Sequence, residues 1–371
     1  MIRNSMIRQL LTISRNTFTE SIRQPIFTVL TLVAALCLVI NPSLSAYSME
    51  TGDGDRKLLI DMGLSVVFLT GMLLAAFSAT GVLSEEIEKK TVLTVVSKPV
   101  NRPLFVLGKF FGVAAAILIA FWILSLLFMG TYRHGVMSTA RDDFDTPVIF
   151  LNLFAALAAL IFATAGNYLY NWVFTSTFIK SLAVTMTAAF IGVLVIGKEW
   201  VLQSPIQEFV ANNGELLQIA IGLVFIFEAV VILTAVAIAV STRLGQVMTL
   251  IICIATFIVG AATSSLSGKV NQRLSLPADL DVFQSMIAVI NANTTAAQKT
   301  ADVAQKLLYL LAPNLQFLWP ADAITQGHSF VHDIDGNFTL AVFASITLYS
   351  ALYTVVVLAL AVLLFQRREV G

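Results

Sequence analysis

Eight apolar runs, at residues 25–41, 58–83, 104–131, 148–172, 181–197, 216–241, 246–263 and 339–365, divide this chain, and no soluble fold can bury them all. Their lengths suit helices crossing about 30 Å of hydrocarbon, whereas a membrane barrel is built from alternating segments of roughly ten residues. Composition agrees. Hydrophobic residues make up 58% of the 371 and charged ones 12%, with a mean hydropathy of +0.87, which leaves too little polar surface to cover a soluble globule. The expectation is an all-α, polytopic helical membrane protein with about eight spans. The fifth and seventh runs are short, so six or seven crossings with a re-entrant hairpin is the alternative count.

Charge sets the orientation. With the N-terminus inside, the inner segments hold 13 of the 22 basic residues and the short outer loops five, as the positive-inside rule requires. Acidic residues run the other way, five inside and 16 outside, with Glu228 in a span. Both termini are therefore expected in the cytoplasm, in a multi-pass protein of the cytoplasmic (inner) membrane. This polarity makes nucleic acid an unsuitable partner. Cys37 and Cys253 both fall in apolar spans, where a thiol acts as a small hydrophobe, so no disulfide framework is implied. The run 26–40 is followed by SLSA at 43–46, but its basic, amphipathic preamble is long for a signal peptide, and an uncleaved first span is the expectation.

Four regions follow. Residues 1–24 place Ile2, Met6, Ile7, Leu10, Leu11, Phe18 and Ile22 at helical spacing, with Arg8, Arg15 and Arg23 among the polar positions. That pattern predicts an interfacial helix on anionic lipid of the inner leaflet, ended by Pro25 at the first turn of the next span. Residues 25–263 hold seven spans. Residues 264–338 form an outer segment with an amphipathic helix over about 281–311 and an interfacial or partly re-entrant stretch around Leu315 to Pro320, where Trp319 suits headgroup level. Residues 339–371 give the last span and a cytoplasmic tail.

The most informative stretch is the charged island 84–109, SEEIEKKTVLTVVSKPVNRPLFVLGK. Ser84 can cap a short helix whose first turn carries Glu85, Glu86 and Glu88; Lys89, Lys90 and Thr91 follow, and Lys98 and Pro99 end it before Arg102. A charged rim around Val92, Leu93, Val95 and Val96 suits either a docking surface or an ordinary solvated loop, and the chemistry alone favours neither.

Residues Glu88, Lys89, Lys90, Thr91, then Ser97, Lys98, Pro99, Val100, Asn101, Arg102, with Gly108 and Lys109, resemble the cytoplasmic loop between the second and third spans of ABC transporter permeases of the type-2 exporter family. The N-terminal helix, Pro313 to Phe317 before the last span and the ending Phe365 to Glu369 add to the resemblance. It implies that 84–101 is a coupling helix for a separate ABC ATPase subunit and that 2–23 is the connecting helix beside it. It also implies a second permease copy forming a homodimer, and ATP and Mg held by the ATPase, with no cofactor on this chain. The simplest family members have six spans, so the extra hairpin here is a departure. Residues 158–192 and 235–260 share a loose pattern, which chance likeness of two apolar hairpins explains as well as duplication.

Other candidates are weighed on chemistry. Gly192, Gly197 and Lys198 satisfy GxxxxGK, but Glu199 stands where Ser or Thr belongs and the glycines fall at a span, so no ATP site is expected. Glu228, mid-span, must face a polar group. Asn167 and Asn171 are the candidates, for a plain interhelix bond or, alternatively, a substrate-path or proton-linked role. His328, His332, Asp333 and Asp335 have a spacing that a metal could use, but a solvated loop is the expectation. The implied function is export of a hydrophobic or amphipathic substrate driven by ATP. Force transmission to an extracytoplasmic protein is the alternative, and a secondary carrier without an ATPase the third.

Overall fold

The computed structural model describes residues 2–47, 53–88, 102–137, 144–273, 295–321 and 340–366, with 284, 288, 289 and 324. Among them are ten α-helices: α1 Ile2–Arg23, α2 Pro25–Ser45, α3 Asp53–Glu88, α4 Arg102–His134, α5 Thr146–Tyr170, α6 Phe174–Val195, α7 Pro205–Ser241, α8 Gln246–Arg273, α9 Ala296–Leu311 and α10 Leu340–Gln366. A single 3-10 turn spans Leu315–Leu318. Eight of the helices are long and apolar enough to cross a membrane, all but α1 and α9. The fold is all-α and polytopic, as the apolar runs require.

Local chemistry sets the boundaries. Proline occupies the first turn of α2, α5 and α7, where a missing N–H removes no helical bond. The α5–α6 turn closes through Asn171, left-handed at φ 54, whose N–H donates to the Asn167 carbonyl while the next N–H, of Trp172, donates to that of Gly166. Val173 is extended, so α6 begins at Phe174, earlier than the apolar run at 181 suggests. In α7, Gly214 sits at φ +74, a backbone that glycine adopts without a Cβ penalty.

At the centre stand α3, α4 and α7, whose membrane-length stretches are the most buried. Lipid tails are as apolar as leucine, so small residues that let helices approach matter more here than in water. Ala75, Ala76 and Ala79 of α3, Ala116 and Ala120 of α4, and Ala235 and Ala237 of α7 are all fully buried or nearly so. Around this group, α2 packs on α3 and α4, α10 on α7, and α8 on α3 and α7, while α5 pairs chiefly with α6 as an outer hairpin.

Two expectations change. Ser84 does not cap a new helix: α3 runs on without a break through Glu88, since no proline falls between Ala79 and Glu88 and Gly81 lies where the Gln24 side chain approaches the helix closely. Of the two readings of 315–320 the partly re-entrant one fits, and Trp319 does not sit at headgroup level. It meets Phe68, in the middle of the α3 membrane stretch, edge-on at 5.6 Å between ring centroids, so the chain after α9 dips between helices. Leu318 there is fully buried. The amphipathic helix α9 opens on a capping box of Thr295 and Gln298. It turns Asp302 and Lys306 inward and leaves Leu307, Leu308 and Leu311 exposed. Burial lowers the Lys306 pKa.

Two glycines of α4 bring α1 into close contact with it. A Cβ on Gly112 would lie 2.5 Å from Cβ of Thr17 and 2.6 Å from the Ser14 carbonyl, and one on Gly108 would lie 2.6 Å from Cγ2 of Ile13. Four residues apart, the two glycines form one groove along α4. Gly112→Val forces the helices apart at a cost of about 1–3 kcal/mol. The expected result is a lower thermal midpoint together with faster tryptic cleavage at Arg8 and Arg15; an unchanged midpoint and digestion pattern would refute the close packing.

Candidate coupling face at one end of the bundle

The end of α3, the start of α4, the end of α1 and the ends of α7 and α10 meet at one pole of the molecule. Here it is called the basal end. Residues 84–88 belong to α3 by their backbone, while Lys89, Lys90, Thr91 and Lys98 lie outside the described residues. The helices on either side of this loop are locked into the basal end by named contacts.

Lys109, one residue beyond Gly108, is 2% exposed, and its Nζ lies 3.6 Å from Oε2 of Glu20 on α1. The same ammonium stands 5.5 Å from the centroid of the Phe105 ring. Phe105 in turn stacks on Phe365 of α10 at 5.6 Å. One turn earlier, Arg102 donates from Nη1 to the Gln366 carbonyl at 3.0 Å. From the end of α7, Arg243 donates from Nε and Nη2 to the Leu364 carbonyl at 3.1 and 2.8 Å. Both arginines bind carbonyls in the last described turn of α10. The Thr175 hydroxyl donates to the Arg23 carbonyl at 3.2 Å, joining α6 to α1.

Arg8, Arg15 and Arg23 are exposed along α1. The apolar positions divide. Ile22 is buried in the bundle, whereas Ile7 and Leu11 are 51% and 61% exposed beside the arginines. A free face of mixed leucine, isoleucine and arginine has the chemistry of a bilayer interface.

Glu228 finds a partner that the sequence reading did not name. Its Oε2 accepts from the Ser350 hydroxyl of α10 at 2.8 Å. Asn167 is elsewhere, donating from Nδ2 to the Trp172 carbonyl at 2.7 Å and closing the α5–α6 turn, so the proposed Asn167–Glu228 pairing is wrong. Asparagine at the end of α5 is drawn to the orphan carbonyls of the turn, while a serine in the last span is short enough to reach a carboxylate on the adjacent helix. The signal for Ser350 was present, as a polar residue in an apolar span, but spacing alone could not rank it above Ser345 or Thr354.

The apparent GxxxxGK splits between α6, which holds Gly192, and a turn in which the Gly197 N–H donates to the Val201 carbonyl at 2.8 Å. It is not a strand-to-helix phosphate loop. Among the described residues no group of three or more His, Cys, Asp or Glu could hold a metal, and His328, His332, Asp333 and Asp335 lie outside them.

The opposite, distal pole is held differently. Arg56 of α3 pairs with Glu215 of α7, to which the Tyr132 hydroxyl of α4 also donates. Arg133 of α4 pairs with buried Asp145 at 3.3 Å and donates to the Ile196 carbonyl at 2.7 Å.

The described residues thus form a polytopic helical bundle in which an amphipathic helix packs against the helices that bracket the charged island. Residues 11–196 match the family described as ABC-2 family transporter protein, a stretch that takes in most of α1, the charged loop and everything through α6. The chain belongs to this family of ABC transporter permeases. None of the curated proteins matches it.

Arg243→Ala removes both bonds to Leu364 and should cost about 1–3 kcal/mol. A fall in the thermal midpoint of the purified protein checks this. Lys109→Glu should cost more, since it sets two carboxylates together, and adding Glu20→Lys to the same chain should restore part of the loss. Independent, additive effects of the two substitutions would exclude the pairing.

Proposed function

We propose that this chain is the permease subunit of an ATP-driven exporter of the cytoplasmic membrane, with the basal end and both termini in the cytoplasm. A separate ABC ATPase, carrying ATP and Mg, docks on residues 84–101, where Glu85, Glu86, Glu88, Lys89, Lys90, Thr91 and Lys98 supply the charged rim. A second copy of the chain completes the translocating unit.

The observation that carries this reading is the continuity of contact at the basal end. A push on 84–101 reaches α4 directly, then α1 through Gly108, Gly112 and the Lys109–Glu20 pair, and α10 through Arg102 and Phe105. Arg243 brings in α7. Packed elements of this kind shift as bodies rather than deform, which is what closure of an ATPase pair requires of the subunit that it drives. Arg102, read from sequence as a docking residue, works in this account as a strut to α10.

The cargo is a hydrophobic or amphipathic molecule. In support, a cavity of about 530 Å³ between α4, α6 and α7 is walled by Phe121, Trp122, Phe190 and Phe227, with Ser125 and Thr187 as polar points. The carrier alternative rested on Glu228, and the Ser350 hydroxyl gives that carboxylate a structural partner.

The test is co-purification with the ATPase encoded beside this gene, comparing wild type with a chain carrying Glu86→Lys, Glu88→Lys and Lys98→Glu. Loss of the ATPase from a variant with an unchanged thermal midpoint is expected. Equal recovery would move docking elsewhere.

A further inference from the structure

A pocket of about 790 Å³ opens between the end of α1, the α5–α6 turn and the facing flanks of those two helices. Two of its lining side chains are cations, Arg23 and Lys180, and no carboxylate lines it. Among the described residues neither cation takes part in an ion pair, and Lys180 otherwise meets only the Phe18 ring, 5.9 Å from its centroid. Both lie close to the basal turn. Further along the helices the lining becomes apolar, through Phe162 of α5 and Val184 of α6. At 1.5 Å per residue, Val184 is about 15 Å into α6 from Phe174, well within the hydrocarbon depth of a span. The hydroxyls between do not disturb this gradient, because Ser181 and Thr185 donate to backbone carbonyls.

A paired positive charge at headgroup level above an apolar slot matches one class of ligand, an anion with a hydrocarbon tail. Arg23 belongs to α1 and Lys180 to the outer hairpin, parts that the Thr175 hydroxyl joins by donating to the Arg23 carbonyl. We propose that this pocket binds one anionic phospholipid of the basal-side leaflet, its phosphate on Arg23 and Lys180 and an acyl chain along Phe162 and Val184, so that lipid joins α1 to the α5–α6 hairpin. The proposal is independent of where the ATPase docks.

Native mass spectrometry of the purified full-length chain, titrated with phosphatidylglycerol, phosphatidylcholine or glycerol 3-phosphate, tests it. Wild type should retain one phosphatidylglycerol in preference to phosphatidylcholine. Affinity should fall about fivefold for each charge removed and roughly 25-fold in Arg23→Gln with Lys180→Gln, from about 1 kcal/mol per cation near a headgroup. Lys180→Arg should keep binding, and Val184→Trp, which fills the slot but retains both cations, should lose it. Equal retention of phosphatidylglycerol by the double variant, or of phosphatidylcholine by wild type, would overturn the proposal. So would tight glycerol 3-phosphate binding unaffected by Val184→Trp, which marks a site for soluble anions. A cross-link between two copies through Thr177→Cys would overturn it as well, since a second chain would then cover the pocket.

Discussion

A buried ammonium beside two glycines holds the basal end together. In a bilayer the apolar effect supplies no force between helices, so α1 could drift from α4 unless close packing and a polar contact kept it there. Gly108 and Gly112 allow the approach, and Lys109 supplies the contact by reaching Glu20 across the groove. The other basal contacts follow from this placement. With α4 fixed against α1, Phe105 is free to face α10 and stack on Phe365, and Arg102 comes within reach of the Gln366 carbonyl. Arg243 meets the same helix end from the other side. The Leu364 and Gln366 carbonyls of α10 thus become the node at which α4 and α7 meet.

The two poles contrast in how charge is used. At the distal pole Arg56 and Arg133 each have a carboxylate partner, in Glu215 and Asp145, so cation and anion cancel between neighbouring helix ends. At the basal pole the described arginines bind carbonyls or stay exposed, and positive charge is left over along α1 and in the lipid-side pocket. Apart from the Lys109–Glu20 pair, the basal end thus presents cations, which suits anionic headgroups there.

Much of the fold was legible in the sequence because lipid imposes a length. A run such as 104–131 cannot be anything but a spanning helix, and α4 extends it only to Arg102 and His134. Interiors were less legible. Polarity predicted that Glu228 needed a partner, but a helix of apolar residues has no hydrophobic face to fix its rotation, so Ser350 could not be singled out. The fate of Ser84 shows another limit, since capping residues signal helix starts only where the preceding chain is not already helical. Trp319 was read from a statistical preference for headgroups, and packing against Phe68 overrode it. At the candidate site Gly108 was part of the family resemblance and Gly112 was not, and the work of both lies in a contact between segments some 95 residues apart in the chain, from Ile13, Ser14 and Thr17 to Gly108 and Gly112, which no local pattern reveals.

The central claim is that the charged loop at the basal pole meets the ATPase. Site-directed cross-linking in native membranes tests it most directly, using a chain in which Cys37 and Cys253 are replaced and a single cysteine stands at Glu86 or, as the distal control, at Trp200. The account predicts a cross-link from position 86 to a protein that mass spectrometry identifies as an ABC ATPase, and none from position 200. A cross-link to the ATPase from position 200, or from neither position while the complex remains intact, would contradict it.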